Sequence, residues 1–172
     1  MRRFTPLLLA FAFACGGTTE PADIDPNPNV TPDPNGEENG VLEIGKGATA
    51  FEALADDEEI EVVMAPQTNG GLGLGQHIDF AIRAKGIEPM GARVHLVLFD
   101  DTATYAESTQ ALNLVADGDW WITAGLRAIL DSCGDIADKP LTITIDVKDT
   151  NDVQVMATKP IRGPFACPRQ PG

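Results

Sequence analysis

Two histidines are the side chains of this sequence best suited to bind a metal ion or to move a proton. His77 and His95 each lie in a stretch of alternating polar and apolar residues, on its polar side. Both are therefore predicted to face outward, either toward solvent or toward a carboxylate such as Asp79. No set of ligands with metal-site spacing accompanies either histidine, so we predict no metal ion and no cofactor.

Acidic residues form clusters that raise calcium binding as an alternative. The clusters are Asp56-Asp57-Glu58-Glu59, Asp100-Asp101, Asp117 with Asp119, and Asp149 with Asp152. Carboxylate oxygens suit calcium, but the spacing of an EF-hand loop is not present. In a chain with a net charge of −14, a solvated acidic surface accounts for the clusters without an ion. The same charge disfavours nucleic acid and anionic lipid surfaces as partners.

A glycine-rich loop and a pair of tryptophans are the candidate binding features. The loop reads GGLGLG from Gly70 to Gly75 and leads into a strand, so it is not a phosphate-binding loop. The sequence favours a glycine hairpin or a flexible loop at the end of the sandwich. The functional alternative is a binding loop with Gly71, Gly73 and the nearby His77 as candidate residues, because loop tips on sandwiches often carry recognition.

Trp120 and Trp121 are adjacent and must face opposite ways in a strand. Alternation from Trp120 to Leu126 predicts that Trp120 and Ile122 face the core and that Trp121 faces outward. An outward Trp121 either covers a sheet edge or offers a stacking platform for a sugar or a protein partner.

Residues 1–14 have the composition of an export signal. Arg2 and Arg3 precede an apolar run, 4–14, that is too short to span a bilayer as a helix. Small residues then lead to Cys15 and Gly16. This order resembles the lipobox of bacterial lipoproteins, which implies acylation of Cys15, cleavage before it, and anchoring in the cell envelope. Gly16 in place of Asp resembles outer-membrane sorting in Gram-negative bacteria. An ordinary secretory signal cut near Ala14 is the alternative.

Residues 15–40 are predicted to be the lipidated cysteine and a disordered tether. The segment after Cys15 contains five prolines and six acidic residues but no basic residue. Such a composition does not bury enough apolar surface to offset the entropy lost on ordering.

Residues 41–169 are predicted to form one all-β domain, an immunoglobulin-like β-sandwich of about seven or eight strands. Alternating runs mark strands at Gln76–Lys85, Arg93–Phe99, Trp120–Leu126 and Leu141–Val147. The last run pairs with the stretch from Val153 through a four-residue turn, as a β-hairpin. Thr49–Leu54 is a strand or a helical turn, and Thr104–Val115 is a short helix or a loop with an edge strand.

The remaining cysteines, Cys133 and Cys167, predict a disulfide. If Cys15 is lipidated, they are the only thiols left, and an exported protein lies in an oxidising compartment. A metal site or a reactive thiol is the alternative, although neither cysteine has a histidine or a paired cysteine close by.

The chain resembles a group of uncharacterised lipoproteins predicted in myxobacteria and related Gram-negative bacteria. The resemblance is carried by Phe51-Glu52-Ala53-Leu54, Pro66-Gln67 with Gly70-Gly71, His77 and Cys133. It implies an immunoglobulin-like sandwich and no known activity.

The sequence favours a lipid-anchored, non-catalytic module that binds an envelope protein or glycan, or that has a structural role in the envelope. Ser108 and Ser132 are the only serines, and neither lies in a nucleophile elbow. Carboxylates from distant positions can still meet in a folded sandwich. An envelope hydrolase or a metal-dependent enzyme, with acids near His77 or His95, is therefore the alternative.

Overall fold

The computed structural model describes residues 40–66 and 74–168. The predicted signal peptide, Cys15, the tether, Gly71 and Gly73 lie outside these residues. In the described ranges, the strands are β1 Val41–Lys46, β2 Glu52–Ala53, β3 Glu58–Glu59, β4 Val63–Pro66, β5 Leu74–Lys85, β6 Ala92–Phe99, β7 Thr104–Leu112, β8 Val115–Asp117, β9 Trp120–Leu130, β10 Pro140–Lys148 and β11 Gln154–Arg162. A three-residue 3₁₀ helix, Cys133–Asp135, follows β9.

The strands form two sheets with the order of an immunoglobulin domain. The first sheet has the order β2-β1-β5-β9-β8, and β4 also pairs with β5. The second sheet has the order β3-β11-β10-β6-β7. Within them, β1-β5-β9-β8 corresponds to the A-B-E-D sheet of that fold and β11-β10-β6-β7 to its G-F-C-C′ sheet, whereas the two-residue strands β2 and β3 are additional. The prediction of an immunoglobulin-like sandwich is confirmed.

The core lies between the two sheets, where the alternating residues of both meet. On β5, Ile78, Phe80 and Ile82 are at most 2% exposed. On β6 and β10 in the opposite sheet, Leu96 and Ile145 are equally buried. Period-two alternation is therefore a correct guide to the core wherever a strand runs without interruption.

The predicted hairpin is β10–β11, and its turn has five residues, 149–153. The buried Asp149 organises this turn. Its Oδ1 accepts hydrogen bonds from the N–H groups of Asn151 and Val153, at 2.7 and 2.9 Å. Its Oδ2 accepts one from the Glu88 N–H, at 2.8 Å. Burial raises the pKa of Asp149, but these three bonds outweigh it and lower the pKa below its ordinary value.

The two segments left open by the sequence are both extended. Thr104–Val115 contains β7, which is an end strand of the second sheet. Thr49–Leu54 contains the two-residue strand β2. No helix in the described part of the chain is long and apolar enough to cross a membrane.

Cys133 and Cys167 form the predicted disulfide, with their Cα atoms 5.7 Å apart. The bond ties the 3₁₀ helix after β9 to the segment after β11. Cys133 is also held by its backbone N–H, which donates to Gln76 Oε1 on β5. The disulfide therefore fastens the C-terminal segment, which continues from β11 of the second sheet, to the first sheet.

Candidate functional site

The predicted orientation of the two tryptophans is wrong, because a β-bulge interrupts β9 at Gly125. Phe80 on β5 pairs with Leu126, whereas the next residue, Ala81, pairs with Ala124. Gly125 is thus an extra residue with φ +73°, and it reverses the alternation on its N-terminal side. Trp121 pairs with the buried Ala84 and packs against the core. Trp120 takes the outward position.

Trp120 belongs to a cluster on the outer face of the first sheet that we call the aromatic platform: Phe51, Arg83, Lys85 and Trp120. The Arg83 guanidinium lies over both rings, 4.8 Å from the Phe51 centroid and 4.5 Å from the Trp120 centroid. The Lys85 ammonium lies 4.5 Å from the Trp120 centroid. Cations at these distances interact favourably with aromatic rings.

Neighbouring strands bring the platform together. Arg83 and Lys85 alternate outward on β5, and β9 places Trp120 beside them. Phe51, which follows β1 in the chain, packs on the same face. Gly45 of β1 leaves room for it, because a Cβ on Gly45 would lie 2.6 Å from the Phe51 ring. The small residue is therefore required for the aromatic ring to pack over β1.

The two cations of the platform differ in their partners. Arg83 forms an ion pair with Glu43 on β1, with Nη2 2.6 Å and Nε 2.7 Å from the same carboxylate oxygen. No carboxylate of another described residue pairs with Lys85. Arg83 therefore holds the platform in place, and Lys85 can offer its charge to a ligand.

His77 lies on the outward face of β5, as predicted, but it is only 5% exposed. Its Nε2 lies 3.4 Å from Asp79 Oδ2. Asp79 Oδ1 in turn lies 3.4 Å from Arg127 Nε on β9, without the geometry of a hydrogen bond. Of the two orientations left open for His77, pairing with a carboxylate is the observed one. The side chains of His77 and Asp79 are 6% and 10% exposed, so they offer little surface to a substrate.

His95 is also paired with an acid, through a 3.0 Å contact of its Nε2 with Glu107 Oε1.

Two of the acidic clusters contain carboxylates that accept hydrogen bonds within loops of the fold. Asp100 accepts hydrogen bonds from Thr102 and Tyr105, which lower the pKa of its carboxyl, and Asp149 organises the β10–β11 turn. Within residues 40–66 and 74–168, no three potential metal ligands converge.

The strands β1 and β4 pair with different parts of β5, and a cleft of about 380 Å³ lies between the end of β1 and the start of β4. Lys46 is the last β1 residue in the ladder, opposite Phe80, and Val63 of β4 lies opposite His77. The lining includes the carboxylates of Glu52, Glu59 and Glu61. The cleft therefore carries the same sign of charge as the whole chain.

The sequence identified the tryptophan pair but assigned the outward position to Trp121 instead of Trp120. It did not identify Phe51, Arg83 or Lys85. A signal existed for the correct orientation, since a glycine inside a strand often marks a bulge. The outward alternation of Arg83 and Lys85 was also visible, but their contact with an aromatic residue from β9 depends on tertiary structure.

No protein-family model matches the chain, and no curated protein matches it at a significant level. The resemblance to predicted myxobacterial lipoproteins therefore stays a prediction made from short motifs.

Proposed function

We propose that the protein is a lipid-anchored, non-catalytic binding module of the bacterial cell envelope, and that the aromatic platform binds an anionic envelope glycan. The observation that carries this proposal is the outward Trp120 with Lys85 beside its ring. Sugar rings present apolar C–H faces that stack on aromatic side chains. An ammonium group beside the ring provides a charge-assisted hydrogen bond to a carboxylate or a phosphate.

The charge distribution supports an anionic ligand. The chain has 12 lysines and arginines against 26 acidic residues. Three of these cations, Arg83, Lys85 and Arg127, lie on the outer face of the first sheet. Arg83 and Arg127 lie close to the carboxylates of Glu43 and Asp79, whereas no ion pair joins Lys85 to a described carboxylate. A cation whose charge is not neutralised by a paired carboxylate favours an anionic group at that place.

Co-sedimentation with isolated peptidoglycan sacculi tests the binding surface. The full chain carrying Cys15→Ser is used, so that lipid does not contribute. We expect Trp120→Ala and Lys85→Ala each to reduce the bound fraction severalfold. The matched control is Phe165→Ala, which removes an aromatic side chain that is 79% exposed and lies outside the platform. Equal binding of all four proteins, or no binding by any, would overturn the glycan proposal.

The anchor is tested separately. The order of basic, apolar and small residues before Cys15, followed by the tether, supports acylation of this cysteine. Mass spectrometry of the N-terminal peptide is expected to show a diacylated Cys15 as the first residue. Cys15→Ser is expected to move the protein from the membrane fraction to the soluble fraction. An unmodified Cys15 in the mature protein would contradict the anchor.

A further inference from the structure

The first sheet ends in a row of outward residues that includes Lys85 and Trp120. Val41, the first residue of β1, pairs with Lys85, the last residue of β5. Trp120, the first residue of β9, lies beside Lys85, and Asp117, the last residue of β8, pairs with Trp120. Four strands therefore begin or end in this row, at the end of the sheet where the chain enters the domain.

Gly40 fixes the point at which the preceding chain reaches the domain. A Cβ on Gly40 would lie 2.8 Å from the Lys85 carbonyl oxygen, so the Gly40 backbone packs directly against β5. A fully extended chain advances by at most about 3.6 Å per residue. The Cα atoms of Glu38 and Glu37 are therefore at most about 7 and 11 Å from that of Gly40, whatever the conformation of the chain. Both carboxylates can reach the Lys85 ammonium.

We propose that the acidic end of the tether, residues 32–39, docks on the aromatic platform, with Glu37 and Glu38 paired to the Lys85 ammonium. No carboxylate of another described residue pairs with Lys85, and Asp117 of the same row lies on the far side of Trp120, on β8. Residues 32–39 contain three acidic residues and no basic residue, so their charge complements that of the lysine.

The prolines of the same segment suit the exposed aromatic ring of the platform. Pro32 and Pro34 favour extended, polyproline-like conformations, and segments of this kind dock on aromatic side chains at a low cost in entropy. Trp120 lies on the second strand from β1, about 10 Å away, a distance that the chain from Pro34 to Gly40 can span. Because the tether is covalently attached at Gly40, it holds its carboxylates near Lys85 at an effective concentration of about millimolar or above.

The docked tether occupies the surface proposed to bind an anionic glycan, so the two compete for Lys85. This competition rests on the proposed function, whereas the contact of the tether with the platform does not. An exposed ion pair is weak, so the tether lowers the affinity for the glycan by about two- to fivefold and does not block the site.

Co-sedimentation with peptidoglycan sacculi tests the competition, again in the full chain carrying Cys15→Ser. The double variant Glu37→Gln/Glu38→Gln is expected to bind about two- to fivefold more tightly than the chain without these substitutions. Binding of equal affinity by the two proteins would contradict the competition. Absence of binding by both would overturn the glycan proposal, and the tether contact is then decided without a ligand.

The indole N–H signal of Trp120 in an NMR spectrum tests the contact in the absence of any ligand. We expect Glu37→Gln/Glu38→Gln to shift this signal, because the substitutions remove the charges that hold the tether beside the ring. Added salt is expected to move the signal of the chain with both glutamates toward the position seen in the variant, because salt screens an exposed ion pair. The Trp121 signal is expected to stay in place, since Trp121 packs against the core.

The matched control is Asp23→Asn/Asp25→Asn, which removes two charges from a part of the tether at least 15 residues from Gly40. It is expected to leave the Trp120 signal in place. In a chain that also carries Lys85→Ala, the two glutamate substitutions are expected to cause no further shift. A Trp120 signal that does not respond to the glutamate substitutions, or that responds equally to the control, would overturn the proposal. So would a shift of the same size in the chain without Lys85.

Discussion

Arg83 shows at the scale of one residue how an outward side chain can stabilise the fold. Its guanidinium contacts two aromatic rings and one carboxylate on three different segments of chain. We predict that Arg83→Ala lowers the free energy of unfolding by about 1–2 kcal/mol, a value that allows for solvent screening of the partly exposed ion pair. Urea unfolding measures it. Arg93→Ala, on the exposed face of β6, is the control and should cost less than about 0.5 kcal/mol. Equal losses would mean that the platform contacts contribute nothing.

Asp149 gives a prediction for pH dependence. Because hydrogen bonds lower its pKa in the folded state, its ionised form stabilises the protein above the pKa of the unfolded chain, about 3.9. That stabilisation is lost as the pH falls through the lower pKa of the folded state. Asp149→Asn should therefore lower the urea midpoint most at neutral pH, and the difference from wild type should shrink below about pH 4. Asp101→Asn, at an exposed position, is the control. A difference that stays constant with pH would contradict this account.

At the scale of the element, Gly125 determines which residues of β9 face outward, because the β-bulge lies at this residue. It has φ +73°, and a Cβ there would lie 2.8 Å from the Ala48 carbonyl oxygen. We predict that Gly125→Ala lowers the free energy of unfolding by about 2–3 kcal/mol, through backbone strain together with this contact. The control is Gly118→Ala, since Gly118 has φ +59° and a Cβ there would meet nothing within 4 Å. If the two variants lose equal stability, the contact with Ala48 is not significant.

The elements show what the sequence could and could not predict. The strands β5, β6 and β10 follow from alternation, because each has one face in the core. The bulge in β9 defeated the same rule, since one extra residue exchanges the two faces. Burial of His77 was not predictable either, because it depends on flanking by Val63 of β4 and Ile129 of β9. The disulfide was predicted from the expected export to an oxidising compartment and from the cysteine count, neither of which requires knowledge of the fold.

At the scale of the whole molecule, the overall charge and the proposed binding surface differ. The chain has a net charge of −14, whereas the aromatic platform on the outer face of the first sheet places Lys85 beside Trp120. We therefore expect an anionic glycan to approach the protein at this face, because repulsion by the remaining acidic surface disfavours the other approaches.

The most direct test of the glycan-binding account is an NMR titration of the two indole N–H signals of the chain carrying Cys15→Ser. The chain has two tryptophans, so each signal can be assigned with one substitution. Soluble fragments released from peptidoglycan sacculi are the ligand. Because Trp120 faces outward beside Lys85 and Trp121 packs against the core, we predict that the Trp120 signal shifts progressively while the Trp121 signal stays nearly constant. A shift of Trp121 alone, or of neither signal, would contradict the proposed binding surface.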